Sequence, residues 1–144
     1  MKKGQKLKVE KPKQYLQGWT EFYKLKFHIT EDTLIPRPET ELLVDEVLQL
    51  SKKLQTHNSS PITIIDIGTG SGIIAISIAK NLDKVGIVAT DISEKALNVA
   101  KKNAKFHNIE IDKIVFIPND LYEKFTVAPD IIVTNLPYIP TSRL

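Results

Sequence analysis

A run of glycines follows the first strongly apolar segment of the chain, in the order Asp66-Ile67-Gly68-Thr69-Gly70-Ser71-Gly72. Glycine adopts backbone conformations that side chains resist, so this run predicts a tight turn that a ligand can approach closely. A dinucleotide-binding turn has the spacing G-x-G-x-x-G, but Ile73 stands in the place of its last glycine. The spacing therefore disfavours a nicotinamide dehydrogenase.

Two carboxylates accompany the glycine run. Asp66 lies two residues before the first glycine, and Asp91 ends the next β-branched segment. A carboxylate at this turn makes little sense beside a pyrophosphate, but it would attract the cationic amino group of S-adenosylmethionine (SAM), directly or through water. Asp91 would accept hydrogen bonds from the ribose hydroxyls of the same molecule. We therefore predict a SAM site made of Asp66, Gly68, Thr69, Gly70, Ser71, Gly72 and Asp91.

A second motif, Asn135-Leu136-Pro137-Tyr138, follows the apolar residues 131–133. Proline restricts the residue before it to an extended backbone, so the Leu136 carbonyl can point into the site beside the Asn135 side chain. These two oxygens can accept both N–H bonds of a planar amino group and aim its lone pair at a methyl carbon. The Tyr138 ring offers a face for that planar group to stack on. The motif indicates methyl transfer to nitrogen.

The elements that position these motifs alternate along the chain. Short β-branched runs predict strands over 62–67, 86–90, 114–117 and 130–134. Apolar periodicity predicts helices over 72–80 and 94–106, the second capped by Ser93 and buried through Ala96, Leu97, Ala100 and Ala104. Alternating strands and helices predict a doubly wound parallel sheet. Ligands bind beyond the carboxyl ends of such strands, where both motifs and Asn119-Asp120 lie.

The chain before residue 62 predicts a strand and a helix. Apolar and polar residues alternate over 22–29, which indicates a half-buried strand. Pro36 and Pro38 enclose Arg37, and Pro38 suits the first position of a helix. That helix is expected to bury Leu43, Val47, Leu50 and Leu54. We divide the chain into a basic flexible tail (1–13), a linker and β-hairpin (14–36) and a SAM-binding domain (37–144).

Composition limits the class of protein. The 144 residues are 42% hydrophobic and 26% charged, as expected of one globular domain. Cysteine, a membrane-length apolar run, a signal peptide and a cluster of metal ligands are missing from the sequence, so we expect a cytoplasmic protein without a metal. Residues 1–13 hold six lysines and one glutamate, a solvated tail that could add weak attraction for RNA or the ribosome.

Together these motifs resemble the HemK/PrmC family of release factor glutamine-N5 methyltransferases, from about Pro12 to the last residue. The most specific part is Leu34-Ile35-Pro36-Arg37-Pro38-Glu39-Thr40-Glu41, joined by Gln14-Tyr15-Leu16 and Glu21-Phe22-Tyr23. The resemblance implies a class I SAM-dependent methyltransferase fold of Rossmann-like type. It implies methyl transfer from SAM to the side-chain amide of the glutamine in the Gly-Gly-Gln motif of peptide chain release factors.

The resemblance also assigns roles to single residues. It implies that Asn135 and the Leu136 carbonyl hold the glutamine amide, and that Tyr138 flanks it. Leu121 would line an adenine pocket beside Asp120. The implied catalytic residues are Asn135, Leu136, Pro137 and Tyr138. The implied cofactor contacts are Asp66, Gly68, Thr69, Gly70, Ser71, Gly72, Asp91, Asp120, Leu121 and Asn135.

The sequence departs from the family pattern in three places. Leu136 replaces the first proline of Asn-Pro-Pro-Tyr, and Lys24 stands where the family usually has glycine. The family's helical domain before Pro12 and its strands after the Asn-Pro-Pro-Tyr motif have no counterpart in this sequence. The sheet is therefore expected to be incomplete, with about four core strands and 130–134 at an edge. An uncovered apolar edge predicts self-association or a complementing polypeptide.

Two alternative functions stay open at this point. Asn-Leu-Pro-Tyr also resembles the motif of rRNA adenine dimethyltransferases, and together with the lysine tail it favours adenine-N6 methylation of RNA or DNA. A non-catalytic SAM-binding or partner-binding fragment is favoured by the missing segments. Methyl incorporation into release factor or into RNA would separate the first alternative from glutamine methylation, and SAM binding without turnover would indicate the second.

Overall fold

The fold is that of a computed structural model, which describes residues 10–56, 59–119 and 128–136. Its elements, in chain order, are α1 (Lys13–Gln17), β1 (Trp19–Phe22), β2 (Leu25–His28), α2 (Thr40–Gln55), β3 (Ile62–Ile67), α3 (Ile73–Asn81), β4 (Val85–Asp91), α4 (Glu94–Phe106), β5 (Ile114–Pro118) and β6 (Ile131–Thr134). Among these residues, no helix is both long enough and apolar enough to cross a membrane.

Four strands form one parallel sheet in the order β5-β4-β3-β6. The chain runs outward from β3 to β4 and β5, then crosses to the other side of β3 to form β6. The direction of winding therefore reverses at β3, and such a reversal opens a crevice at the carboxyl ends of the two strands involved. The predicted parallel α/β sheet is confirmed, and its four predicted strands are correct to within one residue at each end.

The core lies between this sheet and its helices. Residues Ile73 through Ala79 of α3 are all buried, as the apolar sequence of that helix predicts. The predicted apolar face of α4 is also confirmed, because Ala96, Leu97, Ala100 and Ala104 are buried. The Ser93 hydroxyl accepts the Ala96 N–H at 3.2 Å and caps the helix as expected. Both helices therefore pack by the faces that the sequence predicts, and α4 is also fixed at its first turn.

Helix α2 differs from its prediction at its start and on its buried face. The Thr40 N–H donates to the Arg37 carbonyl at 3.0 Å, so a tight turn that contains Pro38 precedes the helix. The predicted face was wrong in part, since Leu50 and Leu54 are exposed by 45% and 40%. The buried residues of α2 are Thr40, Val44, Val47, Leu48 and Ser51. A wide apolar stripe does not determine how a helix is rotated about its own axis. Packing of α2 against α3 and β3 determines which residues of the stripe are buried.

The first two strands form the predicted hairpin, with a break in the predicted strand over 22–29. Tyr23 and Lys24 form the turn, at positive φ values of 50° and 60°. Two positive φ values are what a two-residue turn needs to match the twist of its strands. Phe22 and Phe27 bury their rings in the core. Glu41 Oε1 accepts the Tyr23 N–H at 2.8 Å and ties the hairpin to the start of α2.

Strand β6 lies at the edge of the described sheet, as predicted, and pairs there with β3 alone. Its residues alternate, with Ile131 and Val133 buried and Ile132 exposed by 58%. One face of the strand therefore joins the core. On the other face, the apolar side chain of Ile132 is left mostly uncovered by the part of the chain that the structure describes.

Candidate functional site

A cavity of about 980 Å³ lies at the carboxyl ends of β3, β4 and β6. The glycine run forms one part of its wall, and the segment that leads into α2 forms another. Its lining residues are Asp32, Thr33, Leu34, Ile35, Pro36, Arg37, Thr40, Ile67, Gly68, Thr69, Gly70, Ser71, Ile73, Ile74, Asp91, Ile92, Asn119, Asn135 and Leu136. The structure thus brings the glycine run together with Asn135 and Leu136 of the second motif.

The glycine run forms a turn whose backbone is held at several points. Gly68, Gly70 and Gly72 all have positive φ, at 71°, 57° and 81°, which explains why glycine stands at each position. The Thr69 N–H donates to the Thr90 carbonyl at 2.8 Å. The Gly72 N–H donates to the Thr69 carbonyl at 2.9 Å. The turn is therefore tied to the end of β4 as well as to itself.

Asp91 lines the cavity with its carboxylate partly engaged by the backbone. Oδ1 accepts the Ser93 N–H at 2.9 Å, and Oδ2 accepts the Gly70 N–H at 3.0 Å. A carboxylate offers about four acceptor positions, so these two bonds leave room for further donors. Asp91 can therefore shape the glycine turn and accept hydroxyl hydrogens from a ligand at the same time.

Asp66 is buried, with 1% of its surface exposed, and does not line the cavity. Its Oδ2 accepts the Thr69 hydroxyl at 2.7 Å, while its buried Oδ1 has no partner within the described ranges. Burial raises the pKa of Asp66 to about 7, against the lowering effect of the Thr69 hydroxyl bond and of the nearby Ala75 N–H. The expected contact with an amino group therefore needs a water or a shift of the turn.

Asn135 and Leu136 continue from β6 into the same cavity. The Asn135 Nδ2 donates to the Thr40 hydroxyl at 3.3 Å, which leaves Oδ1 to accept a hydrogen bond from a ligand. Leu136 reaches the glycine turn, where a Cβ placed on Gly68 would lie 2.6 Å from Leu136 Cδ2. Gly68 is therefore needed for its backbone conformation, and a side chain there would also have to displace the Leu136 methyl group.

Four predicted site residues, Asp120, Leu121, Pro137 and Tyr138, lie outside the described residues, as does most of the lysine tail. Asn119, next to Asp120, lines the cavity. Gly72 is placed in the turn but does not line the cavity. Within the described ranges, no group of three or more His, Asp or Glu side chains is arranged to hold a metal.

Sequence reasoning missed two contributors to the site. The hydroxyl of Thr40 contacts Asn135, although the segment 34–41 was expected only to begin a helix and was given no role in the site. Its two prolines, which fix the chain around Arg37, were the available signal. Asn103 is fully buried and donates to the Ser71 carbonyl at 2.8 Å. A polar residue on the otherwise apolar face of α4 was the signal there.

Comparison with known proteins gives the family. Residues 46–138 match the family model described as ribosomal protein L11 methyltransferase (PrmA). A release factor glutamine methyltransferase from Flavobacterium psychrophilum is 46% identical over 92% of this chain and 46% of its own length. One from Lactococcus lactis subsp. lactis is 43% identical over 94% of this chain and 47% of its own length. The chain thus spans about half the length of the curated relatives it matches.

Solved structures agree on the fold. The N-terminal domain of human METTL16 in complex with SAH is 27% identical, with a TM-score of 0.60 over 83% of this chain and 49% of that one. A ribosomal protein L11 methylase from Lactobacillus delbrueckii subsp. bulgaricus is 27% identical, with a TM-score of 0.53 over 75% of this chain and 51% of that one. The predicted class I methyltransferase fold is confirmed. The chain belongs to the methyltransferase family that the matching model describes, and the predicted resemblance to release factor glutamine methyltransferases is confirmed.

Proposed function

We propose that this chain binds SAM and transfers its methyl group to the side-chain amide nitrogen of glutamine in the Gly-Gly-Gln motif of release factors. The observation that carries the proposal is that Asn135 and Leu136 line the same cavity as the glycine turn and Asp91. The relatives that match most of the chain bear the name of that activity. Release factors act on ribosomes in translation termination, so we also propose a cytoplasmic location.

The residues present fit SAM. The glycine turn presents backbone to the cavity, because Gly68 and Gly70 line it without side chains. Their positive φ values are ones that other residues rarely adopt. Two buried oxygens beside it, Asp66 Oδ1 and Ser71 Oγ, have no partner in the described part of the chain. A cationic amino group, through water or after a shift of the turn, would supply the missing donors and would offset the burial of the Asp66 carboxylate. Asp91 would accept the ribose hydroxyls.

The acceptor side is formed by Asn135 and the Leu136 carbonyl. Because the Asn135 Nδ2 is engaged by Thr40, Oδ1 is the atom that would accept one N–H of the glutamine amide. The Leu136 carbonyl would accept the other. Two acceptors in fixed positions hold the amide plane and direct the nitrogen lone pair toward the methyl carbon. Tyr138 would flank the amide, and Asp120 and Leu121 would border the adenine.

SAM supplies an electrophilic methyl group on a positively charged sulfur. Methyl transfer forms one N–C bond and breaks one C–S bond, whose electron pair stays on the sulfur, and the amide loses one proton to solvent. Acceptors on the two N–H bonds place negative partial charge where the nitrogen becomes positive. The residues therefore contribute orientation and charge complementarity, and the step needs no general base among them.

Cofactor binding is tested first by calorimetric titration with S-adenosylhomocysteine (SAH). We expect the wild-type chain to bind and Asp91→Ala to lose about 10- to 100-fold in affinity, because hydrogen bonds to a charged acceptor are lost. Asp83→Ala, which removes an exposed carboxylate outside the cavity, is the matched control. A folded chain that does not bind SAH would contradict the proposal.

The acceptor is tested by transfer of a labelled methyl group. We expect incorporation into release factor, none into a release factor whose Gly-Gly-Gln glutamine is changed to alanine, and loss of transfer in Asn135→Ala with a smaller loss of SAH affinity than in Asp91→Ala. Adenine-N6 methylation stays the alternative because Leu136 gives the motif Asn-Leu-Pro-Tyr and adenine also carries a planar amino group. Label in RNA or DNA instead of release factor would favour that alternative.

A further inference from the structure

Asn103 is a buried polar residue whose hydrogen bonds join two distant segments. It lies on α4, and none of its surface is exposed. A carboxamide in such a place is costly unless its donors and acceptor are paired. Asn103 Oδ1 accepts the His28 N–H at 2.7 Å, and Nδ2 donates to the His28 carbonyl at 2.9 Å and to the Ser71 carbonyl at 2.8 Å. Both of its N–H bonds and its oxygen are therefore used.

The two bonds to His28 act as a short strand would. His28 is the last residue of β2 and pairs on its other side with Trp19 of β1. Asn103 offers His28 one acceptor and one donor, which is the pairing that a neighbouring strand supplies. The end of α4 adds two further contacts, since His107 Nε2 lies 2.6 Å from the Lys26 carbonyl and the His28 and Phe106 rings meet edge to face. The hairpin is thus seated on α4.

The third bond holds the glycine turn. Ser71 precedes α3. The hydrogen bonds of the helix begin one residue later, where the Gly72 carbonyl accepts the Ile76 N–H at 2.9 Å. Asn103 therefore donates to the Ser71 carbonyl, which lies just before the first carbonyl bonded within the helix. Ser71 lines the cavity, whereas His28 does not, so one side chain connects the cavity wall to an element outside it.

We infer that Asn103 is a positioning residue that couples docking of the β1–β2 hairpin to the shape of the glycine turn. Loosening either segment leaves a buried donor or acceptor of Asn103 unpaired, so each segment favours order in the other. Coupling of this kind is reciprocal, and a ligand that orders the turn also orders the end of β2. The part of the inference that concerns cofactor affinity rests on the proposed function.

The ligand-free test is amide hydrogen exchange in Asn103→Ala and Asn103→Asp. Aspartate keeps the shape and the acceptor for the His28 N–H but places an oxygen against the His28 and Ser71 carbonyls, whereas alanine removes all three bonds and leaves a small cavity. Slow exchange retained at the amides of β3 and β4 shows in each variant that the fold is kept. We expect amide exchange to speed up about tenfold or more at Gly70 and Gly72 in both variants. At His28 we expect this only in Asn103→Ala, because that variant alone removes the acceptor of the His28 N–H. In Asn81→Ala, which removes a bond within α3 to the Ser77 carbonyl, the change stays at the end of that helix. Unchanged protection of the glycine amides in both variants would overturn the inference.

The ligand-bound test uses SAH. In the wild-type chain, SAH is expected to slow exchange at His28, and Asn103→Asp is expected to lose that response and to bind SAH about tenfold more weakly. Asn81→Ala should keep both. Equal SAH affinity in Asn103→Asp and wild type would overturn the coupling. A wild-type chain that does not bind SAH would contradict the proposed function instead, while the ligand-free exchange would still decide the coupling.

Discussion

The glycine turn and Asn135 belong to one cavity, but they are held in different ways. The turn follows β3, which has strands on both sides, and its backbone is fixed by Thr90, Asp91 and Asn103. Asn135 follows β6, which lies at the edge of the described sheet, and within the described residues its side chain has one bond, of 3.3 Å, to Thr40. The turn is therefore held from β4 and from α4, whereas Asn135 is exposed and is held from α2.

This difference indicates what each side of the site depends on. The turn is shaped by residues of the folded core, so changes there should affect stability and cofactor binding together. Asn135 depends on one neighbour in the described part of the chain, so changes there should affect transfer and leave stability nearly unchanged. The variants below, in order of decreasing expected effect, test that division.

Gly72→Ala should be the most destabilising single change. Gly72 has a φ of 81°, and an added Cβ would lie 3.1 Å from Ala100 Cβ and 3.3 Å from Ala100 Cα. The left-handed backbone and the crowding together should cost about 2–4 kcal/mol of unfolding free energy. Urea denaturation measures this.

Gly70→Ala separates the two causes. Gly70 has a φ of 57° but open space where a Cβ would stand, so the expected cost is about 1 kcal/mol. Gly86→Ala, which has open space and no positive φ, should change stability little. Equal losses for Gly70→Ala and Gly72→Ala would show that crowding against α4 does not matter.

Asp66→Asn should alter the pH dependence of stability. Because the pKa of Asp66 is raised to about 7, the folded state holds its proton more tightly than the unfolded state, and wild-type stability falls as pH rises from about 4 to 7. An amide avoids this loss. The stability of Asp66→Asn relative to wild type should therefore rise by about 2–3 kcal/mol between pH 5 and pH 8.

Urea denaturation at the two pH values measures the Asp66 effect. A difference that stays constant from pH 5 to pH 8 would contradict it. SAH affinity of Asp66→Asn gives a second readout, since an amide in place of Oδ1 would face the ligand's amino group with a donor. Affinity is expected to fall in the variant that gains stability, which would mark Asp66 as a residue kept for binding.

Thr40→Val should affect transfer more than binding. Valine keeps the shape of threonine but removes the acceptor for the Asn135 Nδ2, so the carboxamide is no longer held in one orientation. We expect kcat for methyl transfer to fall about 3- to 10-fold, with SAH affinity within about twofold of wild type. Thr40→Ser keeps the hydroxyl and should behave as wild type. An equal loss of SAH affinity would place Thr40 on the cofactor side.

Lys24→Gly should have the smallest effect and the opposite sign. Lys24 holds a φ of 60° in the hairpin turn, where glycine has no steric cost. We expect a gain of about 0.5–1 kcal/mol, seen as a melting temperature a few degrees higher. Lys26→Gly, the same change two residues later inside β2, should instead destabilise. A loss of stability in Lys24→Gly would show that the lysine side chain makes a compensating contact.

Several expectations stay predictions. They include the attraction of the lysine tail for RNA, the division of the chain into tail, linker and domain, and the roles of Asp120, Leu121, Pro137 and Tyr138. Association through the β6 edge is also untested, although Ile132 is exposed there within the described residues.

The sequence by itself determined the strands of the sheet, helices α3 and α4 and the place where the glycine run, Asp91 and Asn135 meet. Local features carry this information, because β-branched runs, glycines that need positive φ and a serine cap act within a few residues. Parallel strands place their carboxyl ends at one edge, so the meeting of Asp91 and Asn135 with the glycine run followed from the order of elements.

The tertiary structure alone decided which side chains face one another across that site. The buried face of α2, the burial of Asp66 behind the cavity wall and the bond from Thr40 to Asn135 depend on how helices rotate and approach. Asn103 and Ser71 are 32 positions apart in sequence and meet only after α4 packs beside α3. Local propensity holds no information on such distances, because they are set by close packing of the whole core.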